Sequence, residues 1–388
     1  MSVPNEFGFD PIAVTKGPRH HFFGYYGICP WDATGKYMLC LESTFHERPP
    51  AAQDRAVVGL VEAATGRFEP LAETYAWNLQ QGAMLHWLPG APDRLIVYND
   101  RQGDRFVSVV LDIHTGKRRV LPRPVSGLSH DGRWAVSLNY ARLASLRPVV
   151  GYAGLPDLFA DRLHPAEDGI YLLDLESGDA KMLVSYEEGY EYLCHIPDVE
   201  DHKIWYNHTI FNRDDSRLCF VTRWNEPGIE IKRTIFVTAS TKGGDLRTIT
   251  ELGASHFDWR STNEIFGWYT MPEGPGYYLY NDDTREHRRI GKEDLTRDGH
   301  CSFARDGRWV VTDTGADEQG LHTLKLWNWA EERQVILGKF YSAPQFKGQI
   351  RCDLHPRWNR DDTQVSFDSV HEGTRQVYVV DVSKVVKG

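Results

Sequence analysis

The stretch that decides the fold is "GQIRCDLHPRWNRDDTQVSFDSVHEGTRQVYVVDV", residues 348–382. A tight "NRDD" turn separates short runs of alternating apolar residues, Val365-Phe367 and then Val377-Val379-Val382. Such alternation marks short, half-buried strands. The same unit, an apolar residue, a four-residue turn and an alternating strand, recurs along the chain. It appears as "WDATGKYMLCLE" from 31, "PGAPDRLIVYN" from 89, "LSHDGRWAVSLN" from 128 and "FNRDDSRLCFVT" from 211. It returns as "WRSTNEIFGWY" from 259, "FARDGRWVVTD" from 303 and "WNRDDTQVSFD" from 358. Most copies are followed by a strand and turn of the "LDIHTGKRR" or "LDLESGDAK" kind. Seven units of roughly 40 to 60 residues have the size of four-stranded blades. The expectation is all-β: one seven-bladed β-propeller over residues 1–388 as a single domain, with long loops near 44–56, 144–167 and 186–204.

Composition agrees with this and excludes some functions. By length alone, 388 residues would allow two or three domains, but the repeat argues for one. Twelve Trp, 18 Tyr and 34 Gly suit a β-rich, saccharide-facing protein. A net charge of −10 speaks against a nucleic-acid partner. No apolar run is long enough to cross a membrane, and "MSVPNEFGFDPIAVTKGPRHH" is no basic-then-apolar leader, so the expected location is the cytoplasm. The six scattered cysteines read as thiols or ligands, not as a disulfide framework. Oligomeric state is open.

Aligned on the turn, the units share a slot three positions before the leading apolar residue. It holds Ile28, His86, Val125, His208, His256, His300 and His355. Equivalent positions in a propeller ring one axis, so five imidazoles are expected at one mouth of the channel. Neutral imidazoles bind divalent cations. Cys352, three residues before His355, adds a soft ligand. His208, His300, Cys352 and His355 together offer a tetrahedral set for one divalent metal, zinc ahead of manganese, with calcium least suited. The competing reading is a hydrogen-bonded polar plug.

Other stretches carry polar and aromatic residues together. "AWNLQQGAMLHWLPG" (76–90) brings Asn78, Gln80, Gln81 and His86; "SLNYARLASLRPVVGY" (137–152) brings Asn139, Tyr140, Arg142 and Arg147. "HHFFGYYGICPW" (20–31) holds His21, Tyr25 and Tyr26, and "HKIWYNH" (202–208) holds Trp205. Rings stack on a sugar's apolar face while amides and arginines fix hydroxyls and carboxylates. Here Tyr25 and Tyr26 read as core, and either arginine can instead pair with a neighbouring carboxylate. No nucleophile elbow or P-loop is present. A His/Tyr/Arg chemistry remains, suited to β-elimination from a uronic acid.

The strings "AWNLQQGAMLHWLPG", "SLNYARL…RPVVGY", "DGHCSFARDGRW" and "RCDLHPRW…SVHEG" resemble the seven-bladed propeller polysaccharide lyases. These are the ulvan and rhamnose–glucuronate lyases, with oligogalacturonate lyases more distant. The resemblance runs over nearly the whole chain. It implies a metal in the channel held by His208, His300, Cys352 and His355, and Arg142 neutralising the substrate carboxylate. Two slots depart: Gln81 stands where the resemblance implies a catalytic histidine, and Ser126 where it implies a catalytic tyrosine. If the chain is a lyase, His86, Tyr140 or His256 must supply the acid and base, with His21, Asn78, Gln81, Asn139, Arg147 and Trp205 binding the anionic saccharide. A saccharide-binding sensor, another carbohydrate enzyme and an interaction scaffold are the alternatives.

Overall fold

The structure, a computed structural model, describes residues 5–226 and 229–387. Seven antiparallel sheets follow one another along the chain, and together they form a seven-bladed propeller. Their innermost strands are His20–Phe22, His86–Trp87, Gly127–Leu128, Trp205–Phe211, Ala254–Trp259, Ser302–Phe303 and Arg357–Trp358. The ring is closed by the amino-terminal segment: Ile12–Ala13 is the outermost strand of blade seven, pairing with Val379 and Tyr378. Glu6–Phe7 adds a fifth strand to blade six.

The repeated motif acts between blades as well as within them. The leading tryptophan of an inner strand donates its indole N–H to the preceding blade: Trp87 to Pro30 O (2.8 Å), Trp259 to Ile210 O (3.1 Å), Trp358 to Ser302 O (3.1 Å). Each bond contributes about 0.5–1.5 kcal/mol. The second Asp of each "NRDD" turn also reaches the preceding turn. Asp215 accepts from the backbone N–H of His130 and Asp131, and Asp362 from that of Arg305. These carboxylates lock neighbouring blades at the hairpin end.

Two expectations change in detail. The segments read as loops at 144–167 and 186–204 carry short helices, with Tyr140–Leu146 beginning just before the first. Asn139 caps that helix, and Ser185 with Glu188 forms a capping box at the start of Tyr186–Leu193. The hairpin of blade two is also longer than its equivalents: Leu88 N bonds Leu95 O, whereas Ser129 pairs with Trp134 and Asn359 with Gln364. Its leading residue is therefore Trp87, not Pro89, and the shared slot falls on Met84. Met84 (φ 50°) has the left-handed backbone of His208 (53°) and His355 (45°). His86 thus leaves the ring, which holds four histidines.

Candidate metal centre and the cavity around it

The inner strands of blades four to seven begin at one mouth of the channel, and there the four histidines meet. The His256 and His300 ring centroids lie 3.8 Å apart, those of His300 and His355 4.1 Å, and those of His208 and His256 5.8 Å. Register shifts between Asn207 and Ile210, and between Ala254 and Phe257, fall at two of these slots. Such bulges re-aim side chains. His208 and His355 add a left-handed backbone, which costs a non-glycine residue about 1–2 kcal/mol.

His300 Nε2 and His355 Nε2 face each other at 3.1 Å. Asp353 completes the group: its carboxylate and these imidazoles have ligand atoms within 4.8 Å of one another. The outer contacts fix the rings. His300 Nδ1 donates to Asp313 Oδ1 at 2.9 Å, and the same carboxylate accepts the backbone N–H of His300 (2.7 Å) and His355 (3.0 Å). A carboxylate only accepts, so Nδ1 of His300 carries the proton and Nε2 is left as a lone pair when the ring is neutral. His256 Nδ1 donates likewise to Asp298 Oδ1 at 3.0 Å.

Burial holds His208 and His355 well below the ordinary imidazole range, and neighbouring cations add to it. Burial also lowers His256. For His300 burial acts downward but is outweighed by the carboxylates of Asp313, Asp353 and Asp298, which raise it. Asp353, despite its burial, is kept acidic by Arg351 and His300, and Arg351 Nε donates to it at 2.7 Å.

The cavity over this cluster has a volume of about 250 Å³ and is also lined by Gln80, Gln81, Asn207, Arg147, Arg223 and Arg351. Tyr25 and Tyr26, stacked with centroids 4.9 Å apart, lie against the histidines. Tyr26 has its centroid 5.2–6.3 Å from all four imidazoles, and Tyr25 OH is 2.8 Å from His208 Nδ1. Two glycines permit this approach: Gly24 (φ 102°) and Gly82 (φ 59°) bring the "FFGYY" and "QGAM" backbones together. A Cβ on Gly24 would stand 2.5 Å from Gly82 N, and one on Gly82 2.5 Å from Phe23 O.

Of the residues singled out in the sequence, His208, His256, His300, His355, Gln81 and Arg147 lie at this mouth. Cys352 does not join the ligand group; its buried thiol, pushed up to about 12 by burial, lies 4.0 Å from Asp353 O. The side chain between Cys352 and His355 that joins the two imidazoles is Asp353. Arg142 is fully buried away from the mouth. Its guanidinium bonds Ile204 O, Leu163 O, Arg162 O and the Asp157 carboxylate, and stacks over Tyr186. It cannot meet a substrate carboxylate from there. Tyr140 is stacked on Tyr152 and bonded to Val125 O; Asn139 caps its helix and binds Asp157 and Asp168. Asn78 organises the turn below Gln80 and Gln81, and His21 is held between Gln376 and Glu42. Trp205 is buried with its indole on Asn225. His86 and Ser126 line a different cavity.

The sequence reading missed Arg223, Arg351, Asn207, Asp298, Asp313 and Asp353. Only Asp353 and Asp298 had a signal, each two residues before a ring histidine. Burial, followed by the field of Arg147, lowers Arg223 to about 10.

No family profile matches the chain, and no curated protein matches it in sequence. Solved structures do share the fold. An oligogalacturonate lyase from Vibrio parahaemolyticus superposes with a TM-score of 0.66 at 15% identity, over 98% of this chain and 97% of that one. An oligogalacturonate lyase in complex with manganese gives 0.69 at 14%, over 100% and 98%. The propeller domain of a Pyrococcus furiosus protease gives 0.52 at 12%, over 93% and 96%.

Proposed function

We propose that this protein is a carbohydrate lyase that binds one divalent cation and cleaves a uronate-containing saccharide by β-elimination. The observation that carries the proposal is the convergence of four imidazoles and three arginines on one mouth of the channel. Likeness to two oligogalacturonate lyases over nearly the full length of both chains supports it.

The donor set fits a cation. Two imidazole nitrogens 3.1 Å apart require a proton or a metal between them, and a carboxylate stands beside them. His300, His355 and Asp353 would hold the ion, with Asp313 orienting the first two. With no thiolate in the group, the argument for zinc from Cys352 falls away, and a nitrogen–oxygen set suits manganese equally. The cation would supply positive charge against the substrate carboxylate.

The chain's own residues account for the rest. Arg147, Arg223 and Arg351 line the cavity and take the carboxylate role assigned in sequence to Arg142. Neutralising that carboxylate acidifies the adjacent C–H. His256, with Nδ1 tied to Asp298, presents Nε2 as the base. The electron pair of the broken C–H bond forms the ring double bond as the glycosidic C–O bond breaks. Tyr25 O–H, beside His208, protonates the departing oxygen.

The test is incubation with a uronate oligosaccharide and manganese. The expected products carry a new double bond, absorb in the ultraviolet and have gained no water. His256→Gln should lower the rate about 100-fold or more. A product heavier by one water would make the protein a hydrolase. Saturable binding without product would favour a saccharide sensor, the reading that Gln81 at this mouth supports.

A further inference from the structure

The channel has a second cavity at its other mouth, independent of the proposed lyase site. The inner strands start at the histidine cluster and end in the repeated hairpins, and those hairpins surround a cavity of about 410 Å³. That volume lies in the range of small-molecule sites. Tyr25 and Tyr26 line both cavities and stand between them.

The repeat arranges charge at this mouth as it arranged imidazoles at the first. The position after the hairpin's first residue holds His130, Arg213, Arg305 and Arg360 in blades three, four, six and seven, and all four line the cavity. Arg213 is paired with Asp258 at 3.1 Å and His130 with Asp215 at 2.8 Å. Arg305 and Arg360 form no ion pair among the described residues; Arg360 Nε is bonded to the carbonyls of Trp31 and Asp32. The rim thus holds two guanidinium groups that form no direct salt bridge among the described residues, with the Asp362 carboxylate bonded to the backbone N–H of Arg305 at 2.9 Å. Deeper in, the walls are apolar and aromatic: Trp87, Phe211, Phe257 and Phe303.

Buried polar groups add a second, independent observation. Ser302 is 4% exposed, lines the cavity, and its hydroxyl has no hydrogen-bond partner among the described residues. A buried hydroxyl left unsatisfied costs about 1–3 kcal/mol, which a ligand can recover. His86, 7% exposed, bonds Met84 O through Nδ1 at 2.9 Å. A carbonyl only accepts, so Nδ1 carries the proton and Nε2 remains an acceptor. Ser126 and Thr209 share a 2.6 Å hydroxyl pair on the same wall.

We infer that this cavity binds a small organic anion, with its carboxylate or phosphate at Arg305 and Arg360 and its apolar body among the aromatic side chains, within reach of Ser302 and His86. The test is isothermal titration of the full chain with phenylacetate, phenyl phosphate and neutral 2-phenylethanol. One anion or both should bind saturably with one site per chain, and the stronger of the two identifies the head group. The neutral alcohol should bind at least about tenfold more weakly, a loss of 1.4 kcal/mol. Arg305→Glu, at an exposed side chain, should weaken the anion by a similar factor, and Ser302→Ala should weaken it several-fold. Arg351→Ala, at the opposite mouth, should leave the affinity unchanged. Absence of saturable binding by either anion overturns the inference. So does binding that survives Arg305→Glu, or that Arg351→Ala abolishes.

Discussion

Replacing Arg142 with alanine separates a structural guanidinium from a catalytic one. Arg142 Nε donates to Ile204 O at 2.9 Å, Nη2 to Leu163 O at 2.7 Å, and Nη1 to Asp157 Oδ2 at 3.3 Å and Arg162 O at 3.4 Å. Arg142→Ala would leave the buried Asp157 carboxylate with Asn139 Nδ2 and the Phe159 N–H as its partners among the described residues, and three carbonyls short of a donor. Breaking a buried pair from one side costs about 3–5 kcal/mol. At about 2.1 cal/mol/K of unfolding entropy per residue, a chain of 388 residues changes stability by about 0.8 kcal/mol per degree. The melting temperature should therefore fall by about 4–6 °C in scanning calorimetry. Arg142→Met, which keeps the stem and removes the donors, should fall similarly. Manganese binding by either folded variant should match the parent protein. A variant that melts within about a degree of the parent yet no longer binds a uronate saccharide would refute this account and return Arg142 to the reacting centre.

Two further outcomes test other parts of the account. Cys352→Ser should keep its full equivalent of bound metal by elemental analysis; loss of the ion would put the thiolate back among the ligands. Burial lowers His86 to about 4 and His46 to about 3. Above an ordinary imidazole value near 6.5, both rings are neutral folded or unfolded, and their contribution is fully present. As pH falls below that value the unfolded chain takes up protons that the folded chain refuses, so stability drops until the folded rings titrate. For His86 the loss approaches about 3 kcal/mol by about pH 4. Urea unfolding across that range should show the decline, and His86→Asn should flatten it; a parallel decline in the variant would contradict the assignment.

The propeller was legible because each blade repeats one hairpin, and the repeat has a physical cause. The leading aromatic residue, Trp87, Trp259 or Trp358, must reach the preceding blade, while the turn must close within a few residues. The same regularity produced the one slip of register. "WLPGAPDRL" contains two extra turn residues, so alignment on Pro89 moved the slot from Met84 to His86. Backbone conformation resolves it, since Met84 shares the left-handed φ of His208 and His355. No sequence pattern displays that torsion.

The site was legible where the repeat placed it and illegible where loops and neighbouring blades completed it. Blades four to seven give histidine at the slot, whereas blades one to three give Ile28, Met84 and Val125, so one side of the ring carries imidazoles and the other apolar side chains. Arg142 and Tyr140 looked reactive because their segment is rich in polar and aromatic residues. That richness has a different origin: a short helix that leads from a strand into a long loop needs a cap, a buried cation and stacked rings to hold it. Arg223 and Asp313 drew no attention because each lies inside a strand whose neighbours read as ordinary alternation. Strand residues reach the channel only through blade geometry, and the second carboxylate oxygen of Asp313 holds the backbone of the next blade at His355. A charged residue on the second strand of a blade, facing an inner strand whose slot is occupied by histidine, is therefore a better pointer to this kind of centre than a polar loop.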